Sequence, residues 1–234
     1  MAASVALALG SVAFTVTASA RAVPTAKAAK PSARATAGEA AAAEPEKPLP
    51  PVAGQVLNWV IASGDNGDLP FMVIDKVAAV VAVFDPKGEM LGQTPALFGV
   101  TPGDDSAPGV GDRELSEITP EERTTPAGRF VSKFGPAAGG RNVLWVDYAT
   151  SISLHPVVTT KKKERRLQRL RSTTPEDNRI TYGCINVPAR FYTNVVRPHF
   201  REDIGVVYIL PEVKSLTEAF PAFQAQGQSQ GRSR

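Results

Sequence analysis

The sequence predicts a mainly β domain, a sandwich or barrel-like sheet carrying one or two short helices. Three observations lead there. Short runs rich in Val, Ile and Phe recur through the middle of the chain, each closed by Gly, Pro, Asn or Asp. Only two segments space their apolar residues as a helix would. Strands and helices do not alternate, which argues against a parallel βαβ sheet.

Taken in order, Val56, Trp59 and Val60 recur at helical spacing before Gly64-Asp65-Asn66-Gly67, so a short helix is expected there. Residues 71–75 and 77–84 are apolar and β-branched, and Asp85-Pro86-Lys87-Gly88 is a turn leading into 89–94 and 96–100. Residues 101–120 are polar and rich in Gly, Pro and Asp, the composition of a long surface loop. Further strands are expected at 129–134, 143–148, 152–154, 180–187 (interrupted by Gly183) and 206–210. Pro188 suits the first turn of a helix with Phe191 and Val195 on one face, and Pro198 is expected to close it. There are no internal repeats.

A chain of 234 residues accommodates one domain with appendages. Residues 1–20 read as an export signal: an apolar run over 5–16, too short for the ~18 residues of a membrane span, followed by Ala18-Ser19-Ala20. No Lys or Arg precedes that run. Residues 21–54 are Ala, Pro, Lys and Glu without apolar period, a disordered linker, and 214–234 read as a flexible tail. The folded unit is therefore expected over 55–213, in a protein exported to the periplasm or cell envelope without a transmembrane span.

Net charge is only +3, yet residues 161–171 hold seven basic groups and one acid, so a single basic segment sits on a mildly acidic body. Such a run is most often a solvated face. Leu167 and Leu170 would let one side touch the sheet, and the functional alternative is a flap attracting carboxylate-rich or anionic polymer. With no aromatic residue interleaved, nucleic acid is not an expected partner. No metal-ligand cluster is legible, and no cofactor is expected.

Chemistry concentrates at Ile180-Thr181-Tyr182-Gly183-Cys184-Ile185-Asn186-Val187, with Ser153-Leu154-His155 upstream. A nucleophilic cysteine needs partial exposure, a group that favours thiolate, and donors for an oxyanion. Gly183 removes a side chain beside the thiol, a helix starting at Pro188 would bring a positive dipole end, and a histidine could carry the proton. The competing reading is an inert, buried cysteine among apolar neighbours. Two features favour chemistry: Gly183 precedes Cys184 and Asn186 lies two positions on, poor choices for a central strand, and one of only two histidines lies upstream. The other, His199, is the rival base, but a helix over 188–196 would carry it ~12 Å away at ~1.5 Å per residue.

Thr181-Tyr182-Gly183-Cys184-Ile185-Asn186 resembles the Ser/Thr-His-Gly-Cys-hydrophobic-Asn/Arg motif of the L,D-transpeptidases, whose catalytic module is the YkuD domain. Thr125-Pro126-Ala127-Gly128-Arg129-Phe130 resembles the strand that precedes it in that family, and Met72 to Lys76 with Val83 to Gly88 is similar to the family's opening hairpin. The resemblance implies a YkuD-type fold and a cysteine acyltransferase acting on peptidoglycan stem peptides, in cell-wall biogenesis and cell shape. It assigns Cys184 as the acylated nucleophile, His155 as general base, Gly183 with Cys184 as the oxyanion site, and Thr181, Tyr182 and Asn186 as supporting residues. The acceptor would be an amine of another stem or of a wall-attached protein. The alternatives are a peptidase or amidase with water as acceptor, and a non-catalytic wall-binding module of the same fold. Two departures stand out. Tyr182 replaces the histidine that precedes Gly-Cys in the family, and His155 lies 29 positions before Cys184, farther than is usual there, the excess being the basic 161–171 segment.

Overall fold

The computed structural model of the chain describes residues 48–137, 139–200 and 204–223. The expected export signal, most of the linker and the end of the tail lie outside the described residues. Helix α1 spans Pro51–Ser63, with proline at its first turn, where a missing N–H costs nothing. Ala53, Val56, Trp59 and Val60 form its buried stripe, and Gly64 at φ 66° ends it by donating its N–H to the Val60 carbonyl at 2.9 Å. The helix thus begins inside the range expected to be linker. Ala53 is only 2% exposed, so the Ala/Pro composition there belongs to a packed helix start and not to a spacer.

Strands β1 (Phe71–Asp75), β2 (Val80–Phe84) and β3 (Met90–Pro95) form the expected meander. A two-residue strand, β4 (Phe98–Gly99), follows. After the long loop come β5 (Gly128–Pro136), β6 (Asn142–Asp147) and β7 (Ile152–Pro156). The basic segment contains a one-turn helix, α2 (Arg166–Arg169). The expected 180–187 strand is two strands, β8 (Arg179–Thr181) and β9 (Ile185–Val187), which break at Gly183 because each pairs with a different neighbour. Helices α3 (Ala189–Phe191) and α4 (Arg197–Phe200) are joined by a π turn over Tyr192–Val196. The helical run therefore does not close at Pro198. The wider turn before that proline accommodates its missing N–H. Strand β10 (Gly205–Ile209) and helix α5 (Leu216–Ala219) are the last elements among the described residues.

The main sheet runs β3-β2-β1-β10-β5-β6-β7-β9. Pairs β1·β10 and β7·β9 are parallel and the other neighbours antiparallel. Beyond the end of β3, Leu97 exchanges two backbone hydrogen bonds with Asn186 of β9, at 2.8 and 3.0 Å. The first and last strands of the sheet are thereby tied together, and the mixed sheet is a nearly closed, barrel-like structure with few short helices. Closure removes the unpaired edges that an open sheet would present.

Strand alternation builds two cores. Met72, Ile74, Val81, Val83, Leu144, Leu154, Ile185 and Val207 point to one, which the helical run over 189–200 covers with Tyr192, Val196 and Phe200. Phe71, Val73, Phe84, Val206 and Tyr208 point to the other, under α1 and Phe220. That is why β1 is buried along its whole length and reads as a continuous apolar run. Ser215 caps α5 by accepting from the Glu218 N–H, and Phe220, 2% exposed, packs on Trp59. The residues expected as the start of a flexible tail at 214 instead finish the second core, because one aromatic side chain there has a pocket to fill.

Candidate active site

Parallel pairing of β7 with β9 sets His155 opposite Asn186, with Leu154 opposite Ile185. Leu154, Ile185 and Val187 belong to the barrel core. Alternation then puts Ser153 and His155 on the other face, beside Cys184 and Asn186. Four polar or titratable side chains meet as a two-by-two patch, and the 29-position gap between His155 and Cys184 is closed by one strand pair. The sequence-assigned thiol, imidazole and Asn186 are thus brought together.

The turn before β9 holds the thiol by a set of local bonds. Gly183 has φ 125°, a conformation that L side chains rarely adopt, and a Cβ there would lie 2.7 Å from the Thr124 carbonyl oxygen and 2.7 Å from Ile152 Cδ1. The glycine is needed by the protein's own packing. Thr181 Oγ1 accepts from the Gly183 N–H at 3.1 Å and donates to the Cys184 carbonyl at 2.7 Å. The Gly183 amide is therefore already committed. The Cys184 amide takes no acceptor among the described residues. Thr125, fully buried, donates to the Gly183 carbonyl at 2.8 Å and accepts from the Gly99 N–H at 2.9 Å. In the sequence it is legible only as part of the Thr-Pro-x-Gly-x-Phe stretch.

Cys184 is partly exposed. Its sulfur lies 3.6 Å from Ser153 Oγ and donates to the Ser151 carbonyl at 3.6 Å. Burial pushes the thiol up, but hydrogen bonding and charge from His155, joined by Ser153, outweigh it and hold the thiol below its ordinary value. The imidazole is clamped at both nitrogens. Nδ1 faces the Pro156 carbonyl at 2.8 Å, and Nε2 faces Asn186 Nδ2 at 3.1 Å.

Arg166, which nothing in the sequence singles out, reaches this patch from α2. Its Nη1 donates to Asn186 Oδ1 at 2.7 Å while its Nε donates to Glu164 Oε2 at 2.6 Å. The basic segment is thus not wholly a solvated face: Lys161, Lys162, Lys163 and Arg165 are exposed, whereas the Arg166 side chain is only 12% exposed. The single acid in the run is the available signal, since Glu164 is the partner that orients Arg166. Of the two leucines, Leu170 is buried and Leu167 exposed.

Tyr182 stands under the Arg123 guanidinium, 4.0 Å from its carbon to the ring centre, a cation–π contact made by a second unanticipated arginine. His199 is exposed and its Nδ1 donates to Val195 O of its own helix at 2.8 Å. Among the described residues no three His, Cys, Asp or Glu side chains form a metal-binding group. No helix among them is long and apolar enough to cross a membrane.

No family model matches the chain, and no curated protein matches it in sequence. Its neighbours among solved structures include L,D-transpeptidases at low identity. An L,D-transpeptidase from Mycobacterium smegmatis is 15% identical, over 60% of this chain and 58% of that one, at a TM-score of 0.35. The catalytic domain from the E. faecium L,D-transpeptidase is 13% identical, over 61% and 98%, at 0.36. The helical cell shape determining protein Pgp2 from Campylobacter jejuni is 12% identical, over 68% and 56%, at 0.41. The match thus spans 58% of the length of the mycobacterial enzyme. At this distance the likeness concerns fold alone, and what the side chains do is read from this chain.

Proposed function

We propose that the protein is a cysteine acyltransferase of the L,D-transpeptidase type acting on peptidoglycan stem peptides, with Cys184 as nucleophile and His155 as base. The observation that carries this reading is the β7·β9 register, which sets the imidazole beside a thiol held below its ordinary value. A buried cysteine with neither an acceptor nor a histidine would behave as a small hydrophobe. This one has both.

The chemistry follows from the contacts. Nδ1 keeps its proton on the Pro156 carbonyl, so the lone pair that can accept is on Nε2. As the Asn186 N–H gives up the Nε2 lone pair, the Cys184 proton passes to Nε2 and the sulfur bonds to the carbonyl carbon of the donor stem. The uncommitted Cys184 amide donates to the developing oxyanion. Collapse breaks the carbon–nitrogen bond, and the departing amine takes the proton from Nε2, leaving a thioester. An acceptor amine then attacks, gives its proton to Nε2 and releases the thiol, which regains that proton. Water in place of the amine gives hydrolysis by the same steps. The apolar run at 5–16 and Ala18-Ser19-Ala20 support action outside the cytoplasmic membrane, where such stems are found.

The test is covalent. Incubation with a carbapenem should add one drug mass to the intact protein, and Cys184→Ala should take up none. A folded sample without adduct, or an adduct that persists in Cys184→Ala, refutes the nucleophile. Muropeptide products then decide between amine and water as acceptor.

A further inference from the structure

We infer that Arg166 is a positioning residue for His155: by claiming Asn186 Oδ1 it fixes which end of the amide faces the imidazole. A guanidinium has only donors, so the Asn186 atom 2.7 Å from Nη1 is its oxygen. The amide nitrogen is then left facing His155 Nε2 at 3.1 Å. An amide nitrogen also only donates, so Nε2 meets it as a bare lone pair. The Pro156 carbonyl, an acceptor, independently keeps the proton on Nδ1. The ring at rest is therefore held with Nε2 unprotonated and its lone pair accepting from Asn186.

Protonating Nε2 in the free protein would set an N–H against an N–H. Turning the Asn186 amide would relieve that clash, but it would set the amide nitrogen against Arg166 Nη1 instead. Glu164 holds Arg166 in place through Nε at 2.6 Å, and the Glu164 carbonyl is in turn tied to Arg169 Nε at 3.0 Å. The relay Glu164–Arg166–Asn186–His155 thus gives the basic segment a task inside the site. The charged and titratable groups facing the imidazole are the Cys184 thiol from the turn before β9 and, behind Asn186, the Arg166 guanidinium and Glu164 carboxylate. Control of the ring stands on these contacts alone. Its benefit to acyl transfer, keeping the base neutral and ready, rests on the function proposed above.

The experiment is a ¹⁵N NMR pH titration of the His155 ring in the full chain, in a Cys184→Ala, His199→Gln background that leaves one histidine and no thiol. Arg166→Met frees the Asn186 amide to turn and accept from Nε2–H, and removes a nearby positive charge. The ring should then take its second proton about one pH unit higher than in the background protein. Arg166→Lys, which retains a charged donor, should return most of that shift, and Glu164→Ala should move the titration in the same direction by less. An Arg166→Met protein that titrates with its parent overturns the inference, whatever the acylation assay gives. A shifted titration in a protein whose Cys184 parent forms no adduct upholds the inference and removes the proposed function instead.

Discussion

Two polar clusters lie in the same barrel-like domain and are built on opposite terms. Around Lys76, fully buried, every bond is short and filled. Its ammonium donates to the Asp104 carboxylate at 2.8 Å, to the Thr125 carbonyl at 2.8 Å and to the Gly103 carbonyl. Asp104 also accepts from the N–H groups of Glu212, Val213 and Lys214. Burial pushes its carboxyl up, but the Lys76 ammonium and those three amides pull it down to about 2. Around Cys184 the sulfur meets Ser153 Oγ and the Ser151 carbonyl, both at a long 3.6 Å, in a partly exposed residue whose thiol the His155 imidazole holds down. The comparison separates scaffold from site. Filled hydrogen-bonding capacity fixes a loop, whereas a sulfur held by long contacts is the arrangement the proposed nucleophile needs. The two clusters are linked, since Thr125 accepts from Lys76 through its carbonyl and donates through its hydroxyl to the Gly183 carbonyl.

Four substitutions break or sharpen that contrast. Cys184→Ala should give the largest functional effect, a loss of acylation of at least about 10³-fold, while thermal stability changes by less than about 1 kcal/mol. A large drop in melting temperature would instead make the thiol a packing residue. Asp104→Ala should do the reverse, costing about 3 kcal/mol by urea unfolding, because the buried Lys76 ammonium loses its nearer carboxylate, keeping Glu212 Oε1 at 3.3 Å, and three amides lose their acceptor. The wild-type protein carries a pH signature of the same carboxylate. Its folded value lies below the unfolded one of about 3.9, so its contribution is intact above that pH and is lost as pH falls toward about 2. Acid unfolding that begins well above pH 5 would have another cause.

His155→Gln should slow iodoacetamide alkylation of Cys184 at pH 7 by about 10²-fold and move the alkylation midpoint up, because burial is then opposed by Ser153 alone. A midpoint that stays in place would mean that His155 does not depress the thiol. Gly183→Ala is the smallest of the four and the one that touches both properties. Its positive φ and its close approach to the Thr124 carbonyl should cost about 1–3 kcal/mol, together with loss of labelling as the turn shifts. Unchanged unfolding and labelling would show that the turn tolerates a side chain.

Much of the fold and of the site is legible in the order of residues alone. The meander at β1 to β3, the helix ending at Gly64 and the breaking of a strand at Gly183 follow from apolar period and turn residues. The thiol and imidazole stand out by residue type and by a motif. Other features are hidden because their cause lies elsewhere in space. Ala53 and Phe220 look like linker and tail until each meets the second core. Pro198 looks like a helix stop until a π turn carries the helix past it. Arg166 and Arg123 look like two more surface cations until Asn186 and Tyr182 receive them.

The sequence by itself determined which groups exist and which share a face. Period-two alternation ties Ser153 to His155 and Cys184 to Asn186, and only glycine suits the turn between Tyr182 and Cys184. Tertiary structure alone decided that β7 lies parallel to β9 with His155 opposite Asn186, and that an arginine 20 positions before that asparagine turns inward. Strand partners so far apart in the chain are chosen by the packing of Leu154, Ile185 and Val187 into one shared core, an energy that no local stretch of residues contains.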